Sequence, residues 1–237
     1  MWKDMTRARL VTILDEIEST AVGHHFYAVA HTFFKWCRRY GLQNPLDGVE
    51  KPPKPKARTR LLTDDEFLTV WRASYQMGTY GRCLRTFFST GQRRTQIAHL
   101  HSDWIDRDRR VIRFPAEIMK TRREHVLPYG PLTASLLSND TGLQFPTARG
   151  GLMADWDTWK RTLDKLAPIA HWVHHDGRRF YSSTHAKIGT PRHIREMLLS
   201  HTRPAGASEV ETIYDRYDYL EEKRAAQLAY EDHVTNL

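Results

Sequence analysis

His175-Asp176-Gly177-Arg178-Arg179 is the stretch on which the reading of this 237-residue chain turns. A histidine three residues ahead of an arginine shares a helix face with it. The arginine offers a planar fork of donors that matches phosphate oxygens, and the histidine changes charge near neutral pH. The pair suits chemistry on a phosphodiester. Alone, the pentapeptide reads more simply as a solvated basic helix, so the sequence on either side decides.

The chain carries 36 Lys+Arg against 28 Asp+Glu, a formal charge of +8, and 40% of its residues are hydrophobic. It is long enough for one large domain or two smaller ones, and its basic surface favours a polyanionic partner. The excess is concentrated at the front, where residues 1–60 hold 11 Lys+Arg and 6 Asp+Glu. Cys37 and Cys83 lie in apolar helical patterns and read as buried thiols of a reducing compartment. Neither zinc-ligand spacing nor a bilayer-length apolar run nor a signal-peptide pattern stands out.

Upstream, residues 6–19 have helical spacing in Leu10, Ile13, Leu14 and Ile17. A longer helix is predicted from about Gly23 to Tyr40. Its apolar stripe is Phe26, Val29, Ala30, Phe33, Cys37 and Tyr40, with Lys35, Arg38 and Arg39 off it. Residues 51–60, Lys-Pro-Pro-Lys-Pro-Lys-Ala-Arg-Thr-Arg, hold three prolines and five positive charges, hence an extended, semi-rigid linker. Lys51, Lys54, Lys56 and Arg58 are candidates to lie along a nucleic-acid backbone, as are Arg38 and Arg39. Thr63-Asp64-Asp65-Glu66 is a capping box that opens a new domain. Thr90-Gly91-Gln92-Arg93-Arg94 follows a helix over about 82–89 and delivers an arginine to the start of a short helix with Ile97 and Leu100 inward. Residues 110–114 and 124–128 read as paired strands around a basic tip with Lys120, Arg122 and Arg123. A helical pattern over 155–167 aligns Trp156, Trp159, Leu163 and Leu166 as core. The helix of His175 and Arg178 runs to Gly189, and Thr190 caps the next one, with Pro191 in its first turn. The chain ends in a helix over about 220–234 with a stripe of Leu220, Ala225, Leu228 and Val234.

Arg93, Lys120, His175, Arg178, His201 and Tyr214, in this order, resemble the tyrosine recombinases, the phage-integrase family. The local strings agree: Thr90-Gly91-Gln92-Arg93, a lysine hairpin ending in His125-Val126-Leu127-Pro128, His175 to Arg179, Leu198-Leu199-Ser200-His201, and a tail from Tyr214 to Glu222 similar to integrases of prophages and genomic islands. The resemblance covers residues 60–237 well and 1–50 more loosely. It implies a mainly α fold with a small antiparallel β-sheet, an α+β class. Residues 61–237 would be the catalytic domain, 51–60 the basic linker and 1–50 a partial helical segment binding core DNA. It implies double-stranded DNA and four protomers as partners, no cofactor, no metal and a cytoplasmic, nucleoid-associated location. By role, Arg93 and Arg178 would neutralise the scissile phosphate and His201 would add a donor. Tyr214 would attack phosphorus, Lys120 would protonate the leaving oxygen and His175 would handle the nucleophile's proton. Tyr217 and Tyr219 are fallback nucleophiles.

Departures from the family pattern matter. Gln96 stands where an acid commonly supports the first arginine, and Trp104 lies where a second acid is usual. Residues 202–208 lengthen the path to Tyr214, and only two clear helices precede the linker. The leading expectation is a site-specific recombinase for integration or excision of a mobile element. The alternatives are a catalytically impaired, truncated remnant that only binds DNA, and a topoisomerase-like strand transferase. The terminal helix is expected to dock on a neighbouring protomer or on its own domain.

Overall fold

Side-chain caps open the first three long helices: Thr6 accepts from the Arg9 N–H, Ser19 from Val22 and Thr63 from Glu66. Each satisfies a backbone donor that a helix start leaves without an intrahelical acceptor. The computed structural model describes residues 5–56, 58–200 and 218–237. It divides into two compact units, Met1–Thr59 and Arg60–Leu237.

The first unit is a pair of helices, α1 (Arg7–Glu16) and α2 (Thr20–Cys37), closed by a single 3-10 turn at Arg38–Tyr40. Its core is small: Leu10, Tyr27, Phe34 and Leu46. The return segment is pinned by polar contacts, with the Arg7 guanidinium on the Asp47 and Gly48 carbonyls and the Tyr27 hydroxyl donating to Val49 O at 2.9 Å. These contacts correct the expected stripe of α2. The buried residues are Gly23, Tyr27, Phe34 and Cys37, while Val29, Phe33 and Tyr40 are exposed. Helical period fixes that apolar residues share a face, but α1 and the Asn44–Val49 return pack beside that face rather than over its centre. Residues 51–56 and 58–63 form neither helix nor strand.

The second unit is built around α4 (Gly78–Thr90), buried on all sides from Tyr80 onward apart from Arg82. A helix buried on every side sits in the middle of a core, and its polar side chains are satisfied there, Arg85 by Ser74 and Thr86 by the Arg82 carbonyl. Against it pack α3 (Asp64–Ser74), α6 (Pro131–Leu136) and α8 (His174–Lys187). The α3–α8 contact is an aromatic stack, Phe67 on Phe180 with centroids 4.4 Å apart and planes 7° apart, and Phe88 meets Phe67 edge-on. The α4–α8 contact needs Gly177, because a Cβ there would lie 2.6 Å from the Phe88 ring and 2.7 Å from Phe87. The expected hairpin is present as β2 (Val111–Phe114) and β3 (His125–Pro128), with Phe114 opposite His125. A two-residue strand, β1 (Ile105–Asp106), completes an antiparallel sheet in the order β1-β2-β3. The short α5 (Arg94–Ala98), α7 (Trp156–Leu166) and α9 (Arg192–Leu198) complete the middle of the chain. No described helix is long and apolar enough to cross a membrane.

Three further expectations change. In α7 the buried residues are Trp156, Lys160 and Leu163, whereas Trp159 and Leu166 are exposed. Lys160 enters because its ammonium bonds Asp164 at 2.6 Å and lies over the Trp172 ring. Thr190 does not cap α9; its hydroxyl bonds the His185 ring at 2.9 Å, and Pro191 takes the cap position. The terminal helix, α10 (Leu220–Thr235), packs on its own unit, through Lys223, Gln227, Tyr230, Glu231 and Val234 rather than Ala225 and Leu228. The Glu231 carboxylate accepts from the Gly130 N–H at 2.8 Å, the Thr133 N–H at 3.2 Å, the Thr133 hydroxyl at 2.7 Å and the Gln227 amide at 3.0 Å. It therefore caps the start of α6, while the Tyr230 hydroxyl donates to Phe88 O. Removing that acceptor strands the Gly130 and Thr133 N–H groups and one Gln227 amide hydrogen in the interior, while the Thr133 hydroxyl keeps Ser89. Glu231→Ala should lower unfolding free energy by about 3 kcal/mol, with Glu231→Gln between it and the parent; a urea-midpoint change equivalent to under about 1 kcal/mol would show that the network contributes little.

Burial also holds three histidines neutral. His125 is pushed down to about 3 by burial and then by Lys223 and Arg178; His174 to about 4 by burial and then by Arg94; His185 to about 3 by burial and then by Arg195. All three fall below the free value of 6.5, so the unfolded chain binds more protons between that value and about 4. Stability is complete above this window and falls as pH drops through it, by up to about 1.4 kcal/mol per pH unit for each histidine. His185→Gln should remove one histidine's share of that slope. Identical slopes for parent and variant in urea unfolding from neutral to mildly acidic pH would contradict it.

Candidate active site

Gly91 ends α4 in the left-handed region, at φ +62°, with the Tyr181 ring packed where a side chain would stand. The turn that follows presents Arg93 at the cap of α5. Gln96 holds it, accepting from the Arg93 N–H at 2.7 Å, and its amide nitrogen reaches the Met119 sulfur at 2.8 Å. One side chain thus ties the arginine turn to the start of the lysine loop.

Arg178 comes from α8, one turn in from its start. Its guanidinium donates to Gly91 O at 2.6 Å and to Leu199 O. Gln92, fully buried, donates to Leu198 O at 2.8 Å and to Thr90 O at 3.0 Å. Two side chains therefore clamp the last carbonyls of α9 against the Gly91 turn, immediately ahead of His201. The Asp176 carboxylate accepts from the Val173 N–H at 2.9 Å, which fixes the start of α8.

Arg93, Arg94, Asp157, Lys160, His175 and Arg178 line one cavity of about 390 Å³, in which Asp157 is ion-paired to Arg94 at 3.4 Å. Burial and then the Arg93 charge pull Arg178 down to about 9, so it remains charged at neutral pH. Burial lowers Arg93 as well. Its Nη1 is buried with no hydrogen-bond partner among the described residues, and no described carboxylate forms an ion pair with either guanidinium. His175 is exposed, and is lowered by burial of its inner edge and by Arg178. His174 faces inward and bonds the Tyr80 hydroxyl at 3.0 Å. A site with two guanidinium groups that no described carboxylate pairs with, and an orphan donor on one of them, suits a phosphodiester oxygen pair.

Of the six sequence candidates, Arg93, His175 and Arg178 share this cavity. Lys120 is exposed on the β2–β3 connection and does not line it. His201 and Tyr214 lie outside the described residues, as does Tyr217; Tyr219 is half-buried against the His193 ring. Lys51, Lys54, Lys56, Arg58, Arg38, Arg39, Arg122 and Arg123 are all exposed, with Arg38 ion-paired to Asp47. Arg122 adopts φ +52°, a sharp bend for a residue with a side chain. Sequence reading missed Gln92 as a clamp and Gln96 as a link to Met119. The available signal was a pair of amides flanking the arginine, able to donate and accept at once.

No family model and no curated protein matches the sequence. Solved structures do. Lambda integrase bound to DNA is 15% identical, with a TM-score of 0.69 over 91% of this chain and 84% of that one. The integrase from mycobacterium phage Brujita is 16% identical, with a TM-score of 0.55 over 96% of this chain and 78% of that one. XerA recombinase is 15% identical, with a TM-score of 0.52 over 90% and 85%. At these identities the likeness shows the fold: the helical core and the three-stranded sheet are arranged as in these recombinases.

Proposed function

We propose that the chain is a site-specific DNA recombinase that integrates or excises a mobile element through a 3′-phosphotyrosine intermediate. The observation that carries this reading is the convergence of Arg93 and Arg178 in one cavity, neither of them ion-paired to a described carboxylate. Their donors would hold the non-bridging oxygens of the scissile phosphate, where negative charge grows in the transition state. The Tyr214 oxygen would form a bond to phosphorus as the bond to the 5′ oxygen breaks. The phenolic proton would pass to His175, and Lys120 would protonate the departing 5′ oxygen, with His201 as a further donor. Bond energy is kept in the phosphotyrosine for rejoining.

In this reading residues 60–237 form the catalytic unit, and the front unit and linker grip the duplex through Arg38, Arg39, Lys51, Lys54, Lys56 and Arg58. Arg122 and Arg123 would enter a groove beside Lys120. The neighbours support these partners, since one lambda integrase structure is a tetramer on a Holliday junction and XerH is bound to its difH substrate. The same reading makes the chain a DNA-bound homotetramer, cytoplasmic and nucleoid-associated.

Tyr214→Phe should bind junction DNA within about twofold of the parent yet form no covalent adduct on a nicked suicide duplex, because the nucleophilic oxygen is gone. An adduct with that variant would move the nucleophile to Tyr217 or Tyr219, and no adduct with the parent would reduce the protein to a DNA binder. Arg178→Lys keeps the charge but cannot reach Gly91 O, Leu199 O and phosphate together. Adduct formation should slow by about a hundredfold or more; parent-like rates would remove Arg178 from the phosphate site.

A further inference from the structure

The arginine cavity is larger than a phosphoryl group needs. At about 390 Å³ it lies in the ~300–1,000 Å³ range of pockets that enclose a small organic molecule. It also has two ends. After burial, the charges that bear on His175 are Arg178, Arg179, Asp176 and Arg93, whereas those that bear on His174 are Arg94, Lys160, Asp157 and Asp164. The second end does not repeat the first, because its cations are each matched by an acid. The Lys160 ammonium bonds both Asp164 oxygens, at 2.6 and 2.8 Å, and Arg94 pairs with Asp157 at 3.4 Å. With no surplus of positive charge, this end is a poor place for a second phosphate. Its floor is Phe87, Val173 and the ring of His174. Burial keeps that ring neutral, and its Nε2 is held by the Tyr80 hydroxyl at 3.0 Å.

We propose that this second end takes the base of the nucleotide at the scissile phosphate, turned out of the helical stack; the proposal rests on the recombinase reading of the arginine end. The apolar floor suits the face of a base. Asp157 engages Arg94 through Oδ1, which leaves Oδ2 to accept an amino or imino hydrogen from the Watson–Crick edge that an unstacked base presents. Arg94, half exposed, can donate to a ring nitrogen or carbonyl beside it. A carboxylate so close to a phosphate site only weakens the binding of a bare phosphate, but against a base edge it has a partner. The nucleotide is the one whose 3′ oxygen carries the scissile phosphate, because it stays attached when the 5′ oxygen leaves. Seating its base holds the cleaved end in place for rejoining.

Nucleotide binding by the full chain tests this without any cleavage. In calorimetric titration, deoxycytidine 3′-monophosphate should bind about tenfold or more tighter than inorganic phosphate. Asp157→Ala, at an exposed position, should erase that advantage and leave phosphate affinity equal or higher. An acid that merely crowds the anion would, once removed, strengthen both ligands alike. On a nicked suicide duplex, 2-aminopurine as the base in question should brighten severalfold when the protein binds, and the same probe about six positions away should not. Three results would each overturn the proposal: equal affinity, or none, for the two ligands; a nucleotide advantage that survives Asp157→Ala; or a probe beside the scissile phosphate that stays dark. A parent that binds the nucleotide as expected yet forms no covalent adduct would keep the base site and fault the phosphotyrosine reading alone.

Discussion

A buried guanidinium with no carboxylate to neutralise it is costly, and Arg178 is such a group. The cost is offset by two carbonyl oxygens, Gly91 O at the end of α4 and Leu199 O at the end of α9. Both belong to helix C-termini, where carbonyls lack intrahelical partners and the dipole is negative. One charge therefore closes two helix ends, and its remaining donors face the cavity. An aspartate paired with Arg178 in place of those carbonyls would leave the two helix ends unjoined and would largely cancel the field at the cavity. The second arginine, with a buried donor unpaired, adds to the same unmet demand for an anion.

The surrounding packing exists to keep that geometry rigid. Gly177 lets α8 approach the Phe87 and Phe88 rings closely enough for Arg178 to reach the Gly91 turn. Gly91 itself leaves room for Tyr181, whose hydroxyl donates to Gln227 at 2.6 Å on α10. Gln227 in turn donates to Ser89 O, one residue before the end of α4. The last helix thus supports the arginine turn from behind, through buried polar bonds whose geometry is less forgiving than apolar contact.

Much of this was legible in the sequence, because local chemistry writes it there. The Thr63 capping box, the Gly91 stop, the strands on either side of Lys120 and the helix of His175 and Arg178 all follow from signals within a few residues. The misplaced burial has one origin. Period tells which residues share a face but not which of two adjacent faces the rest of the chain covers. On α2 the aromatic choice was between Phe33 and Phe34, and burial went to Phe34 because Leu10 and Leu46 meet that side. On α7 the lysine proved more buried than Trp159, since Asp164 and the Trp172 ring supply partners for its charge. The contacts of Gln92 and Gln96 depend on segments 106 and 23 residues away, which no local pattern encodes.

Gln96 shows how such a long-range choice shapes the chemistry. A carboxylate at this position could accept from the Arg93 N–H as the amide does. It could not donate to the Met119 sulfur, so the link between the arginine turn and the loop that begins at Lys120 would be lost. It would also bring a full negative charge beside Arg93, whose burial is otherwise uncompensated. The amide fixes position without spending charge, and the cavity keeps the whole field of two guanidinium groups for whatever anion enters it.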